Sequence, residues 1–180
     1  IRENKLKESN SLDLSYLRLK EIPTEIADLT HLKVLNLDHN NLDKIPNNIL
    51  FLSNLQVLSL NNNNIKDIPD NIGLLSNLVS LEIQENRISS VKKSIVNLKN
   101  LAFLDLSSNR IIQLDRLIGG LLDLKELRLS FNKLISIPTE LQYLTSLEVL
   151  DLEYNEILEI DEGIGELVNL TQLNINGNNL

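Results

Sequence analysis

The stretch Leu32-Lys33-Val34-Leu35-Asn36-Leu37-Asp38-His39-Asn40-Asn41-Leu42 decides the fold. Its form is L-x-x-L-x-L-x-x-N-x-L. It runs on through Ile45-Pro46, Ile49 and Leu52 before Leu55 opens the same phrase again. The phrase begins at Leu32, Leu55, Leu78, Leu101, Leu124, Leu147 and Leu170, 23 residues apart each time, with no insertion or deletion. One spacing upstream, a weaker copy starts at Ser9 and carries Leu12, Leu14, Leu19, Ile22-Pro23, Ile26 and Leu29. Seven full copies therefore start at residues 9, 32, 55, 78, 101, 124 and 147, and a partial eighth at 170. A fixed period of about 20–29 residues with this leucine pattern marks a solenoid.

Each position has a physical task. Leu35 and Leu37 alternate with Val34, Asn36 and Asp38, the period of a short strand with one buried face. The next copy lies 23 residues on, too far for a hairpin, so successive strands return by a crossover and lie parallel. Asn40, Asn63, Asn86, Asn109, Asn132, Asn155 and Asn178 form one column just after the strand. An amide both donates and accepts, so a stacked Asn column can satisfy the backbone groups of a turning chain from one repeat to the next. Ile45-Pro46 opens the return segment, where proline suits a first helical turn. Ile49, Leu52 and Leu55 follow three apart, one face of a short or 3₁₀-like helix. No single repeat can cover its own leucines; each needs its neighbours.

These stretches resemble the leucine-rich-repeat family. The full form L-x-x-L-x-L-x-x-N-x-L…I-P-x-x-I-x-x-L resembles its intracellular class: Ras-pathway scaffolds, Scribble-like polarity proteins, and the repeat regions of Roco GTPases and adenylate cyclases. The resemblance covers residues 9–180. It implies an α/β solenoid, a right-handed horseshoe arc with a concave parallel β-sheet and short helical or 3₁₀ convex segments. It also implies a scaffold or adaptor role in intracellular signalling, with a protein partner on the concave face. A small Ras-like GTPase or a phosphatase is the partner class it suggests. The alternative it leaves open is a regulatory or substrate-positioning repeat domain of a larger enzyme. Residues 1–8, mostly charged, are expected to be an N-terminal flank or a short capping helix. The chain starts at Ile1 and stops mid-repeat at Leu180, which reads as a fragment of something longer.

Composition narrows the function. There is no cysteine, so disulfide-bonded end caps are impossible and a reducing, cytoplasmic compartment is expected. Asn169-Leu170-Thr171 is a formal glycosylation sequon in a chain rich in asparagine. No apolar run approaches the roughly 18 residues of a membrane span. The two histidines, His31 and His39, lack the spacing of a zinc site, and the serines have no paired base. No catalytic residue, metal or cofactor is expected. Net charge is −8, with no extended basic face, which argues against nucleic acid.

The informative residues are those the repeat leaves facing solvent, at its third, fifth, seventh and eighth positions. Repeats five to seven present Phe103, Asp105, Arg128, Phe131, Val149, Asp151, Glu153 and Tyr154 there. Aromatics mixed with charge on an accessible face make up binding hot spots. The same aromatics can also pack on the neighbouring repeat, and Arg128 can be held by its column neighbours Asp105 and Asp151. The seventh repeat holds Glu148, Asp151, Glu153, Glu156, Glu159, Asp161, Glu162 and Glu166, with no Lys or Arg. Arg87, Arg110 and Lys133 recur at one position in three successive copies and are expected to form a short basic ladder. Lys92, Asp115 and Asp161 replace proline in the fourth, fifth and seventh return segments. These segments are expected to be more extended or more irregular, the fifth loosened further by Gly119-Gly120.

Overall fold

The computed structural model describes residues 9–180; the flank or capping helix expected for residues 1–8 lies outside them. Eight strands form one open, curved, parallel sheet in sequence order: β1 (Ser11–Asp13), β2 (Val34–Asn36), β3 (Val57–Ser59), β4 (Ser80–Glu82), β5 (Phe103–Asp105), β6 (Glu126–Arg128), β7 (Val149–Asp151) and β8 (Gln172–Asn174). The register never slips: Leu12, Leu35, Leu58, Leu81, Leu104, Leu127, Leu150 and Leu173 stand side by side. That constancy follows from the constant period, because a slip of one residue would turn every leucine to solvent.

Each return segment is a 3₁₀ helix, from Thr24–Asp28 to Glu162–Glu166. In the second repeat the Leu52 N–H donates to the Ile49 carbonyl, and the Leu55 N–H to that of Leu52. The three-residue rise thus turns Ile49, Leu52 and Leu55 inward together, and all are fully buried. Between sheet and helices runs one continuous aliphatic core. At about 1.5–3 kcal/mol for each buried Leu or Ile side chain, this stack is the principal favourable term. Among the described residues, only at β8, the last strand in the sheet order, is the inward leucine partly open: Leu173 is 37% exposed.

The return segments without proline are as regular as those with it. Lys92, Asp115 and Asp161 hold φ/ψ of −74/153, −69/138 and −66/146, against −66/128 at Pro46 and −70/143 at Pro138. Five-residue 3₁₀ turns follow all three, whereas the third repeat, which has its proline, makes only Ile72–Leu74. The expected irregularity is therefore corrected: Lys92 holds the extended φ/ψ with no side-chain cap, and the two aspartates add one. The Asp115 carboxylate accepts the Leu117 N–H at 2.9 Å, and that of Asp161 accepts the Gly163 N–H at 2.8 Å. An acceptor at the cap replaces the fixed φ of proline. Gly119 and Gly120 do not loosen the fifth repeat either. A Cβ on Gly119 would collide with the Glu140 carbonyl oxygen, and one on Gly120 with the Val96 side chain. They are small because neighbours press on them.

Two asparagine ladders tie the turns together. In the first, Asn86 is typical. Its Oδ1 accepts the Ile65 N–H at 2.9 Å, and its Nδ2 faces the carbonyls of Leu60, Ile83 and Gln84 at 2.9, 3.3 and 3.1 Å. Asn40 to Asn178 repeat this pattern, 21 and 26 residues back. The second ladder was not anticipated from the sequence. Asn54, Asn77, Asn100 and Asn169 each donate an amide hydrogen to the carbonyl 24 residues earlier, at the opposite corner of the coil. The sequon asparagine, Asn169, is thus a structural rung.

A candidate interaction surface on the concave sheet

The sheet's exposed face divides into two chemically different halves. In repeats two to four the side chains bond to one another. The Asp38 carboxylate accepts the Ser59 hydroxyl at 2.6 Å and the Asn61 N–H at 2.7 Å. The Asn61 Nδ2 donates to Ser59 Oγ and to Glu82, and its Oδ1 accepts the Gln84 N–H. Polar groups so occupied have little left for a partner, and breaking the network would cost more than it returned.

Repeats five to seven bring aromatic rings to the surface instead. Phe131 and Tyr154 stack with ring centroids 4.6 Å apart and planes at 24°. They are 53% and 52% exposed, so they cover each other and still face solvent. The Tyr154 ring lies over Gly177, where a Cβ would collide with it. Phe103 is half-buried on β5, and the Arg128 guanidinium sits 5.3 Å from its ring centroid, within cation–π range. Val149 and Glu153 are half-buried beside them.

The carboxylates fall differently from the expectation. Arg128 does lie between Asp105 and Asp151 in register. Its ion pair, however, goes to Glu126 at 3.0 Å, two residues back on the same face of β6. Exposed as it is, that pair adds little stability. The fifth-position carboxylates are engaged with backbone: Asp105 accepts the Ser107 N–H at 2.9 Å, and Asp151 the Glu153 N–H at 3.1 Å. Asp105 is moreover only 7% exposed, which makes it a strand-end brace more than a contact residue. The same bond in the first repeat, from the Ser15 N–H, holds the Asp13 carboxyl below the usual carboxylate range.

The eighth column has a backbone property that spacing alone did not reveal. Tyr16, His39, Asn62, Glu85, Ser108, Phe131 and Tyr154 all lie at φ between 50° and 59°, and Gly177 at 67°. The left-handed region costs an ordinary L-residue roughly 1–2 kcal/mol. Since every copy adopts it, the turn itself demands the conformation. What the turn does not demand is a large ring, for which glycine or asparagine would be easier. Tyr16 and His39 also stack, with centroids at 4.1 Å, so the column carries an aromatic pair near each end. That they share a column was the available signal. Arg87, Arg110 and Lys133 are exposed in the tenth column, just outside the sheet. Among the described residues no three His, Cys, Asp or Glu side chains gather into a metal-holding group, and no helix is long and apolar enough to cross a membrane.

A sequence profile described as leucine rich repeat matches residues 7–65, 53–111 and 119–180. No curated protein matches the chain. Among solved structures it is similar to a leucine-rich-repeat protein of Leptospira interrogans: 33% identity over 97% of this chain and 50% of that one, TM-score 0.77. It is similar to the internalin inlF of Listeria monocytogenes, at 29% identity over 96% of this chain and 56% of that one, TM-score 0.81. It is also similar to the plant peptide hormone receptor RGFR1, solved in complex with RGF2, at 30% identity over 88% of this chain and 26% of that one, TM-score 0.76. The chain thus spans about half, or less, of the length of the proteins it matches.

Proposed function

This chain belongs to the leucine-rich-repeat family, and on that premise we propose that it is a protein-interaction module whose partner docks on the concave sheet of repeats five to seven. The Phe131–Tyr154 stack carries this reading: two large rings stay half exposed at left-handed positions where smaller residues would be easier. Rigid, preordered rings lose little freedom on binding, which is what gives aromatic hot spots their strength. The half of the sheet in repeats two to four, whose polar groups already satisfy one another, is the poorer surface. The complex of the plant receptor with RGF2 supports a binding role for such a fold. The role in view is that of a signalling scaffold or adaptor, with a small Ras-like GTPase or a phosphatase as the partner class. A chain without cysteine suits the cytoplasm.

The experiment is capture of partners from the source cell, followed by titration of the purified partner. Phe131→Ala and Tyr154→Ala are each expected to weaken binding about fivefold or more, the low end of hot-spot losses. The control is the convex pair Phe51→Ser with Leu74→Ser, residues 63% and 53% exposed on the opposite side. A partner lost by the convex pair but kept by both concave variants would move the site to the other face.

A further inference from the structure

The twelfth position of the repeat is exposed in every copy, and its chemistry changes halfway along the chain. Lys20, Asp43, Lys66 and Ser89 give way to Ile112, Ile135 and Leu158, which are 52%, 45% and 60% exposed. The backbone beneath them changes too. The Ile135 N–H donates to the Ile112 carbonyl at 3.4 Å, and the Leu158 N–H to that of Ile135 at 3.2 Å. Among the described residues, the twelfth position makes this bond in no other repeat. Three aliphatic side chains are thus fixed as one stripe on the flank between the sheet and the 3₁₀ segments. The core does not need them there.

Charge surrounds the stripe in an ordered way. Arg110 and Arg116 belong to the fifth repeat, Lys133 to the sixth, and Glu156, Glu159 and Glu162 to the seventh. None of these six forms an ion pair within 4.0 Å among the described residues. One end of the flank is therefore basic on balance, with Asp115 beside Arg116, and the other is acidic throughout, with the apolar stripe running between them.

We propose that this flank is a homodimer interface, the stripe of one copy lying antiparallel on that of a second about a two-fold axis through Ile135. An axis in the interface plane, running across the repeats, sets repeat five of one copy against repeat seven of the other with like positions facing. Ile112 then meets the partner's Leu158, Arg110 meets the partner's Glu156, and Arg116 meets the partner's Glu162, each contact made twice. An axis along the stripe would instead keep repeat five on repeat five and repeat seven on repeat seven, setting Arg110 on the side of the partner's Arg116 and Glu156 on the side of its Glu162, like charge toward like. The self-complementary order of charge is what selects a second copy as occupant rather than an unrelated protein, which would need only one sign. Two like-charge approaches remain: Lys133 meets its own copy on the axis, and Asp115 meets the partner's Asp161, each carboxylate already accepting a backbone N–H of its own turn. A groove bounded by Ile112, Gln113, Asp115, Arg116 and Pro138 opens beside the stripe, and the partner's Glu159 enters it on the Gln113 side. With strands about 4.8 Å apart, a contact three to five strands wide is small, so the dimer belongs to the weak, concentration-dependent class.

The test is sedimentation velocity of the 180-residue chain from about 10 to 500 μM, the range in which a small interface associates. A monomer–dimer equilibrium is expected. Ile135→Asp, Arg110→Glu and Glu156→Arg should each raise its Kd tenfold or more, and Arg110→Glu combined with Glu156→Arg should restore it. All three side chains are exposed, and circular dichroism verifies that each variant is folded. Phe131→Ala should leave the dimer unchanged, which separates this surface from the concave one. A wild-type chain that stays monomeric throughout overturns the proposal. So does association that ignores Ile135→Asp, as association through the outer edge of β8 would, or a double variant that fails to recover.

Discussion

Replacing Asn86 by alanine removes one rung, and the structure permits its cost to be worked atom by atom. Asn86 is 7% exposed and contacts four backbone groups. The three carbonyls keep other donors: Leu60 has the Asn63 amide, Ile83 the Asn109 amide and Gln84 the Asn62 N–H. The Ile65 N–H keeps none, since the Asn86 Oδ1 is its only acceptor among the described residues. One buried donor is thus stranded, at about 1–3 kcal/mol, and the vacated amide adds a small void. A loss of about 2–3 kcal/mol corresponds to roughly 4–12 °C in a domain of this size. Urea and thermal unfolding followed by circular dichroism measure it. Asn86→Asp sharpens the test. It keeps an acceptor for Ile65 but turns a carboxylate toward three carbonyls, so burial and repulsion raise its folded pKa above the unfolded value of about 3.9. The penalty is absent below the unfolded pKa, grows as pH rises toward the folded pKa and is complete above it. The deficit of this variant relative to wild type is therefore smaller at pH 4 than at pH 7. An alanine variant within about 0.5 kcal/mol of wild type would refute the ladder as a source of stability.

Two further substitutions test the return segments by the same unfolding measurements. Gly119→Ala should cost about 1–3 kcal/mol, because the new methyl meets the Glu140 backbone and not a flexible side chain. Gly165→Ala, with nothing within 4 Å of its Cβ, should be neutral or gain about 0.4–1 kcal/mol through the unfolded chain. Asp115→Ala and Asp161→Ala should each lose about 0.5–1 kcal/mol by uncapping a 3₁₀ turn, the low end for caps. Equal stability of wild type and both cap variants would mean that backbone φ alone holds these turns.

The fold was legible because two periods coincide in one phrase. The alternation of Leu35 and Leu37 names a strand, and the interval of 23 residues forces its neighbours to be parallel. The first Asn column was legible for the same reason. The second was not, because His31, Asp123 and Ser146 stand in its column in place of asparagine. The return segments were misjudged where proline is missing, since a propensity for φ reveals neither that an aspartate can cap nor that Lys92 reaches the same φ/ψ with no cap at all. On the concave face, column membership brought Phe131 to Tyr154, and the structure stacks them. It did not foretell that Arg128 would choose Glu126, because a long side chain reaches along its own strand as easily as across to the next. Nor does spacing disclose a left-handed φ: only Asn62 and Gly177 in the eighth column suit it, and the Tyr, His, Glu, Ser and Phe of the other repeats do not advertise the turn.

The rungs of the first ladder also decide how such a chain can change its length. Each Asn reaches back to residues 21 and 26 positions earlier, across one turn of the coil. Adding or deleting 23 residues leaves every such bond with an equivalent partner. A number that is not a multiple of 23 must bulge out of a return segment, or it moves one side of the joint out of column and strands a buried group at that seam. The molecule therefore counts its own length in whole turns, and duplication of a turn is the one lengthening that needs no repair. What rides on the outer columns is not counted. Phe103, Phe131, Tyr154 and the Ile112–Leu158 stripe sit on tiles whose joints are made elsewhere, so a surface can be rewritten tile by tile while the masonry behind it stays the same.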